Sequence, residues 1–135
     1  MLQGKIYNLN DEEILSLRNK AHALCAKFNK IEDDNDINRK LIIDELIPYN
    51  NNLYLQGPIY FDYGINTHFG KNCYANFNFT VLDICSISIG DNVVIAAGSV
   101  VTHNIPSNTL AAGNPCKVIR NITKEDSIYL KKELF

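Results

Sequence analysis

A six-residue period runs through the middle of this sequence and limits the folds that it can adopt. Counted from Tyr63, seven hexads follow one another to Pro106, with two extra residues, Ile87 and Ser88, after the fourth. Six of the seven fourth positions hold asparagine or glycine, which tolerate the left-handed backbone of a sharp corner. These are Asn66, Asn72, Asn78, Asn92, Gly98 and Asn104, and the exception is Ile84.

The first position of the hexads is mostly apolar and is predicted to point inward. It holds Phe69, Val81, Ile89, Ile95 and Val101. An apolar start and an asparagine or glycine corner are typical of a parallel β-helix, in which each hexad forms one side of a triangular prism. Three sides then make a coil of about 18 residues. The alternative is an antiparallel sheet with asparagine-rich turns, but sheets rarely keep a six-residue period for so long.

The first 48 residues are predicted to be helical. Asn10 or Asp11 can cap a first helix that carries acidic residues in its first turn. Its apolar residues at helical spacing are Ile14, Leu17, Ala21, Leu24, Cys25 and Phe28. A second helix is predicted from about Asp36, with Ile37, Leu41 and Leu46 along one side.

After Pro106 the six-residue period stops. The sequence predicts a short strand over residues 117–120 and a C-terminal helix capped at Thr123.

Composition and charge argue against several classes of protein. The chain has 135 residues, 46% of them hydrophobic, and its 13 basic and 15 acidic residues give a net charge of −2. This balance favours neither a nucleic-acid partner nor a polybasic membrane anchor. No apolar run has the length of a membrane span and no signal peptide is apparent, so a cytoplasmic protein is predicted. Four cysteines without a C-x-x-C pair predict free thiols and no metal site.

The hexads and their flanks resemble the maltose and galactoside O-acetyltransferases. The opening Gly4-Lys5-Ile6-Tyr7 is similar to the start of that family's N-terminal helical segment. The other matching segments are residues 58–79, 82–92, 96–106 and 111–120. The resemblance implies a mainly β fold, a short left-handed parallel β-helix. We predict a helical segment over 1–55, a shortened β-helix over 56–112 and a tail with a short helix over 113–135.

One departure from the family pattern concerns the catalytic machinery. Family chains carry a further block of coils, with an extended loop and the catalytic histidine, between two IGDN-like hexads. This chain has a single IGDN, at residues 89–92. We interpret it as the join left by an internal deletion. Because the hexad register is kept across the join, the shortened prism should still stack.

The resemblance implies transfer of an acetyl group from acetyl-CoA to a sugar hydroxyl. This reaction needs a base, and histidine suits that role because its pKa is near neutral pH. The family's base lies in the missing block, so we assign no catalytic residue in this chain. His22 is predicted to be a surface residue, His68 lies at a corner of the prism, and His103 lies where the family faces the coenzyme.

The remaining site residues follow from matches to the family motifs. On the acceptor side, Asp62, Asn76 and Asp83 are expected to contact the sugar or order the site. The alternatives are a turn residue, a buried amide and a corner residue, in that order. The coenzyme-side matches are Ala97, Thr102, His103, Lys117 and Arg120, although the two cations are also plausible as solvated charges. Weak acetyl-CoA binding is expected because the missing coils would have supplied part of the groove.

Four functional readings stay open at this point. The first is an O-acetyltransferase for a small sugar of the maltose, glucose or galactoside class, with little or no turnover. The second is a non-catalytic subunit that binds sugar or coenzyme, or serves as a scaffold. The third is an active transferase that uses His68 or His103, and the fourth is a decayed gene product. The resemblance implies a homotrimer with active sites between subunits, and the second alternative also includes mixed trimers with full-length relatives.

Overall fold

Three short sheets form the sides of a triangular prism, and two helices pack against its first coil. The computed structural model describes residues 11–126. The helices are α1 (Glu12–Asn29) and α2 (Ile37–Leu46). The strands are β1 (Tyr54–Leu55), β2 (Ile59–Phe61), β3 (Thr67–Phe69), β4 (Tyr74–Ala75), β5 (Phe79–Val81), β6 (Ile87–Ile89), β7 (Val94–Ile95), β8 (Val100–Val101), β9 (Thr109–Ala112) and β10 (Lys117–Asn121).

Each side of the prism is one sheet, and the chain visits the three sheets in turn. Sheet I has the order β1-β4-β7-β9-β10, sheet II the order β2-β5-β8, and sheet III the order β3-β6. Every pair is parallel except β9 with β10, which is antiparallel. A lone bridge from Ile89 to Ile105 adds a third rung to sheet III. The parallel β-helix predicted from the hexads is confirmed.

The coils do not have the predicted 18 residues. Tyr54 pairs with Tyr74 and Tyr74 with Val94, a spacing of 20 residues, whereas Val94 pairs with Leu110 after only 16. The difference lies at the corner between sheets II and III, which we call corner B. It spans residues 62–66 and 82–86 in the first two coils and residues 102–104 in the third. Val81 and Ile89 are eight positions apart, whereas their partners in the next coil, Val101 and Ile105, are only four apart, which accounts for the whole difference. In the sequence pattern, the longer corner is visible only in the second coil, as the two extra residues after the fourth hexad.

The corners use left-handed backbone where the sequence predicts it, at four of the seven fourth positions. Asn72, Asn78, Asn92 and Gly98 have φ between 55° and 75°. Asn66 and Asn104 act through their side chains instead. The Asn66 amide donates to the Asp83 carbonyl oxygen at 2.8 Å, and the Asn104 Oδ1 atom accepts from the Ser88 backbone N–H at 2.8 Å.

A ladder of asparagines runs along the corner between sheets III and I, which we call corner C. Asn52, Asn72, Asn92 and Asn108 stack there with φ of 55–60°. The Asn52 amide donates to the Asn72 Oδ1 atom at 2.6 Å, and the Asn92 amide donates to the Asn108 Oδ1 atom at 3.0 Å. The ladder passes through residues 89–92, so the proposed join lies within regularly stacked coils.

The inward side chains of the prism make one core with the two helices. All five predicted inward residues, Phe69, Val81, Ile89, Ile95 and Val101, are buried. Ala21, Leu24, Cys25 and Phe28 of α1 belong to the same core. The predicted Asp11 cap is also confirmed, because its carboxylate accepts the backbone N–H groups of Glu13 and Ile14.

The predicted apolar face of the second helix is confirmed at Leu46 but wrong at the other two positions. Ile37 and Leu41 are exposed, and the buried residues of α2 are Arg39, Ile43 and Leu46. Arg39 occupies a core position because backbone carbonyls surround it. Its guanidinium donates to the carbonyl oxygens of Ile31 and Gln56, both at 3.1 Å, and lies 4.5 Å from the centre of the Phe28 ring. A hydropathy pattern assigns arginine to the surface, so it cannot predict a buried arginine whose charge is compensated by hydrogen bonds.

The C-terminal part of the described chain follows the prediction in outline. The short strand is β10, and the Thr123 backbone N–H donates to the Asp126 carboxylate at 2.8 Å, as in a helix cap. The rest of the predicted C-terminal helix and the opening residues 1–10 lie outside the described residues. Pairing between coils starts at the bridge from Asn51 to Lys71, and the predicted division at residues 55 and 112 stays a prediction.

Candidate functional site

The acceptor-side and coenzyme-side residues of the β-helix lie on the two corners that border sheet II. Corner A joins sheet I to sheet II at residues 56–58, 76–78 and 96–99, and it carries Asn76 and Ala97. Corner B carries Asp62, Asp83, Thr102 and His103. The strands of sheet II therefore separate two groups of candidate residues within one chain.

Asp62 and Thr102 lie on the same edge of the prism, two coils apart. The Asp62 backbone N–H donates to Val81, and the Leu82 N–H donates to Val101, so residues 62, 82 and 102 stack. Adjacent rungs lie about 4.8 Å apart, which puts the two backbones about 10 Å from each other. Asp62 is half-buried, and the Thr102 hydroxyl lies 2.8 Å from the Nδ1 atom of exposed His103.

Asp83 is a fully buried carboxylate that ties together the first two turns of corner B. Its Oδ1 atom accepts from the Tyr63 backbone N–H at 2.8 Å and its Oδ2 atom from the Thr67 hydroxyl at 2.9 Å. With none of its surface exposed, the carboxylate cannot contact a ligand in this conformation. Of the two roles expected for it, the geometry favours ordering the site.

Burial also changes the pKa of the Asp83 carboxyl group. Burial raises the pKa of Asp83 above its usual 3.8, against the opposing effect of the hydrogen bonds from Tyr63 and Thr67. The folded chain therefore holds this proton more tightly than the unfolded chain. The resulting contribution to stability is fully present below pH 3.8 and is lost as the pH rises through the folded-state pKa.

We predict that Asp83→Asn, which stays neutral at every pH, flattens this part of the pH dependence. The free energy of unfolding of the parent chain should fall more between about pH 4 and pH 7 than that of the variant. Urea denaturation of both proteins at the two pH values measures the difference. An equal fall in both proteins would contradict the prediction.

Asn76 is nine-tenths buried at corner A. Its backbone N–H donates to Ile95 of the next coil, and its side-chain oxygen accepts from the Phe77 N–H at 2.8 Å. Ala97 lies at the same corner one coil further and is exposed. The amide thus helps to shape the turn of corner A, in line with the structural alternative considered for it.

The two coenzyme-side cations lie on the exposed strand β10. The Cys116 N–H donates to Val100, which holds the start of this strand beside sheet II. Lys117, the residue after Cys116, is exposed. Arg120 is paired with Asp126 at 2.7 Å, and its hydrogen bond lowers the pKa of that carboxyl to about 2. Lys117 is therefore better placed than Arg120 to meet a phosphate.

A groove that sequence analysis missed runs between α1 and sheet II, and Asp62 lies on its wall. We call it the α1 groove; its volume is about 510 Å³. Its lining includes His22, Ala26, Tyr60, Asp62, Thr80 and Leu82. The signal for it was the segment Ile59-Tyr60-Phe61, where an exposed aromatic stands between two buried residues. His22 is exposed as predicted, but nothing in the sequence placed it beside Asp62.

The surroundings of His68 and of three buried cysteines do not favour a nucleophile and base pair. The predicted corner position of His68 is wrong, because this residue is the middle one of strand β3, where alternate side chains point outward. Its ring is exposed and stacks on Tyr49, with the ring centres 4.2 Å apart. None of the four cysteines forms a disulfide, and burial raises the pKa of Cys25 to about 11 and also raises that of Cys73 and Cys116. The thiols of these three buried cysteines stay protonated near neutral pH.

The described residues offer no metal centre and no membrane span. Within residues 11–126, no group of histidine, cysteine and carboxylate side chains is arranged to hold a metal ion. Neither α1 nor α2 has the length and apolar composition needed to cross a membrane.

Comparison with known proteins finds a family match for the N-terminal part and relatives that cover nearly the whole chain. Residues 1–48 match the maltose acetyltransferase hexapeptide capping motif. A putative acetyltransferase of Saccharomyces cerevisiae is 30% identical over 183 residues, which covers 94% of this chain and 93% of the relative. That alignment is much longer than the chain itself, so an internal stretch of the relative has no counterpart here.

Two solved structures share the architecture. A galactoside acetyltransferase in complex with coenzyme A has a TM-score of 0.66 and 28% identity, covering 92% of this chain and 90% of the other. A maltose O-acetyltransferase from Clostridium difficile has a TM-score of 0.61 and 31% identity, and the match covers 91% of this chain and 95% of the other. These matches confirm the predicted left-handed parallel β-helix and its internal shortening.

Proposed function

Because this chain belongs to the hexapeptide-repeat acetyltransferases of the maltose and galactoside O-acetyltransferase type, we propose that it binds acetyl-CoA and a sugar acceptor but transfers the acetyl group slowly or not at all. The observation that carries this proposal is the length of the alignment, which leaves an internal stretch of the relative without a counterpart in this chain. The chain aligns with nearly the whole length of its relatives yet lacks an internal block. In the resemblance drawn from the sequence, that block supplies the catalytic histidine.

What remains is suited to binding both substrates. Asp62 offers a half-buried carboxylate that can accept hydrogen bonds from sugar hydroxyls. Thr102 and His103 lie on the same corner, and Lys117 provides an exposed cation for a phosphate of the coenzyme. The shortened third turn of corner B leaves less wall around the coenzyme than a full set of coils would, which supports weak binding.

Coenzyme binding is the first test of the proposal. Calorimetry should detect coenzyme A binding to the parent chain, and Lys117→Glu should weaken it about tenfold because a cation is replaced by an anion. Lys71→Glu is the matched control, since it makes the same charge change at corner C and should have little effect. No binding by the parent chain, or equal losses in both variants, would overturn the coenzyme assignment.

The alternative proposal is a non-catalytic subunit. The continuous pairing of the coils on both sides of residues 89–92 favours it, because a shortened chain that still folds can bind partners or ligands without turnover. In both versions we propose a cytoplasmic protein that assembles as a trimer, either of identical chains or mixed with full-length relatives. Light scattering on the purified chain measures its oligomeric state.

A further inference from the structure

Two neighbouring side chains on the last turn of corner B are in hydrogen-bond contact. The Thr102 hydroxyl lies 2.8 Å from the Nδ1 atom of His103. When the ring proton is on Nε2, the Nδ1 atom accepts the hydroxyl hydrogen. Thr102 is half-buried and His103 is exposed, so the pair can be reached from solvent. A hydroxyl within hydrogen-bond distance of an imidazole is the arrangement of a nucleophile and its base.

The turn that carries this pair is fixed at both ends and open on one side. Backbone hydrogen bonds tie Val101 to Leu82 before the turn and Ile105 to Ser88 after it. Strand β8 is the last strand of sheet II, so no further turn of corner B covers residues 102–104 within the described chain. A nucleophile held on a fixed backbone reacts with less loss of conformational freedom than one on a mobile loop.

The pair also lies near the proposed coenzyme side. The Cys116 N–H donates to Val100, so Lys117 stands beside the strand that leads into this turn. Thr102 follows Val100 by two residues, a span of about 7 Å in extended chain. An acetyl-CoA bound at Lys117 can therefore bring its thioester to the Thr102 hydroxyl through its flexible pantetheine arm.

We propose that acetyl-CoA acetylates Thr102, with His103 as the base. The Thr102 Oγ1 atom bonds to the thioester carbonyl carbon, its proton passes to the His103 Nδ1 atom, and the carbon–sulfur bond breaks. The proton then goes to the departing thiolate, so the products are an acetyl ester of Thr102 and free coenzyme A. The inference rests on the proposed function for its acetyl donor.

The reaction is expected to be slow. Within residues 11–126, the Thr102 hydroxyl is the only hydrogen-bond partner of the His103 ring. No third group therefore orients the imidazole, as a carboxylate does in a catalytic triad. The expected result is one acetyl group per chain and not rapid turnover.

Mass spectrometry of the full chain after incubation with acetyl-CoA tests the proposal. Peptide mapping should place an acetyl group on Thr102, and hydroxylamine should remove it, because hydroxylamine cleaves an ester but not an acetylated lysine. Thr102→Val should abolish this ester. His103→Gln should slow its formation at least about 10²-fold, which is the contribution of a positioned base. No ester on Thr102, or an equal rate in His103→Gln, would overturn the inference.

Ser88 and His68 provide a matched control. They pair in register on β6 and β3, and both are exposed. His68 stacks on Tyr49, however, and no hydrogen bond joins it to Ser88 in the described structure. Ser88 should therefore gain no acetyl ester, and His68→Gln should leave the acetylation of Thr102 unchanged. An equal yield of ester on Ser88 would show that exposed hydroxyls react without a base in contact, and would overturn the inference.

A small thioester separates this inference from the proposed function. N,S-diacetylcysteamine carries the same acetyl thioester but none of the coenzyme phosphates, so it can react with the pair without a coenzyme site. Acetylation of Thr102 by this compound, in a chain that does not bind coenzyme A by calorimetry, would support the pair and contradict the proposed function. Coenzyme A binding without an ester on Thr102 from either donor would contradict only this inference.

Discussion

The purified chain is expected to transfer acetyl groups from acetyl-CoA to maltose, glucose or a galactoside at least ~10²-fold more slowly than a full-length relative. A positioned general base typically contributes 10²- to 10⁴-fold to such a step. An internal stretch of the yeast relative has no counterpart here, and the proposed function places the base in that stretch. Weaker coenzyme binding would add to this loss. A coupled assay of free coenzyme A release, with and without sugar, measures both transfer and hydrolysis.

Restoring the missing block should restore turnover. Both sides of the join are already in register, because the Gly90 N–H donates to Ile105 and the Asn92 N–H donates to Lys71. A chimera that carries the corresponding block of the galactoside relative between Asp91 and Asn92 can therefore continue the stack. We expect it to gain at least ~10²-fold in acetyl transfer over the parent chain.

The control is the same chimera with the catalytic histidine of the inserted block changed to alanine, which should return the rate to that of the parent. Turnover by the unmodified chain within about a hundredfold of a full-length relative would contradict the prediction. In that case His68→Ala and His103→Ala would show whether either surviving histidine acts as the base. A loss of rate in one of them would support the active-transferase reading.

The repeat was predictable from sequence because each hexad repeats the same local physics. Inward apolar residues such as Ile89 and Ile95 must be buried, and asparagines such as Asn72 and Asn92 adopt the left-handed corner at low cost. The length of corner B was not predictable in the same way. A longer turn is stabilised by contacts between coils, here the hydrogen bonds of the buried Asp83 carboxylate, and no periodicity reports them.

The candidate site was predictable only as a set of positions. The motif matches singled out Asp62 and Thr102, and the strand register then placed them on one corner. Their relation to α1 depends on how the helix packs on β2, which is set by contacts distant in sequence such as Asn29 with Ile59. The α1 groove therefore emerged only from the folded chain.

The largest effect on stability is expected at Gly64, in the first turn of corner B. This residue has a φ of +75°, and a Cβ atom there would lie 2.3 Å from the backbone oxygen of Leu46 at the end of α2. Gly64→Ala therefore combines a strained backbone with a clash against an atom that cannot rotate away. Together these should cost about 3–5 kcal/mol of the free energy of unfolding.

Gly98 provides a matched control because it has the same φ of +75°, but a Cβ atom there would have nothing within 4 Å. Gly98→Ala should therefore lower the free energy of unfolding only through backbone strain, by about 1–2 kcal/mol. Urea denaturation of the two variants isolates the contact between corner B and α2 as the difference between them. Equal losses would contradict this packing. A Gly64→Ala chain that does not fold, beside a folded Gly98→Ala chain, would support it, because the first coil then depends on its fit against the helical segment.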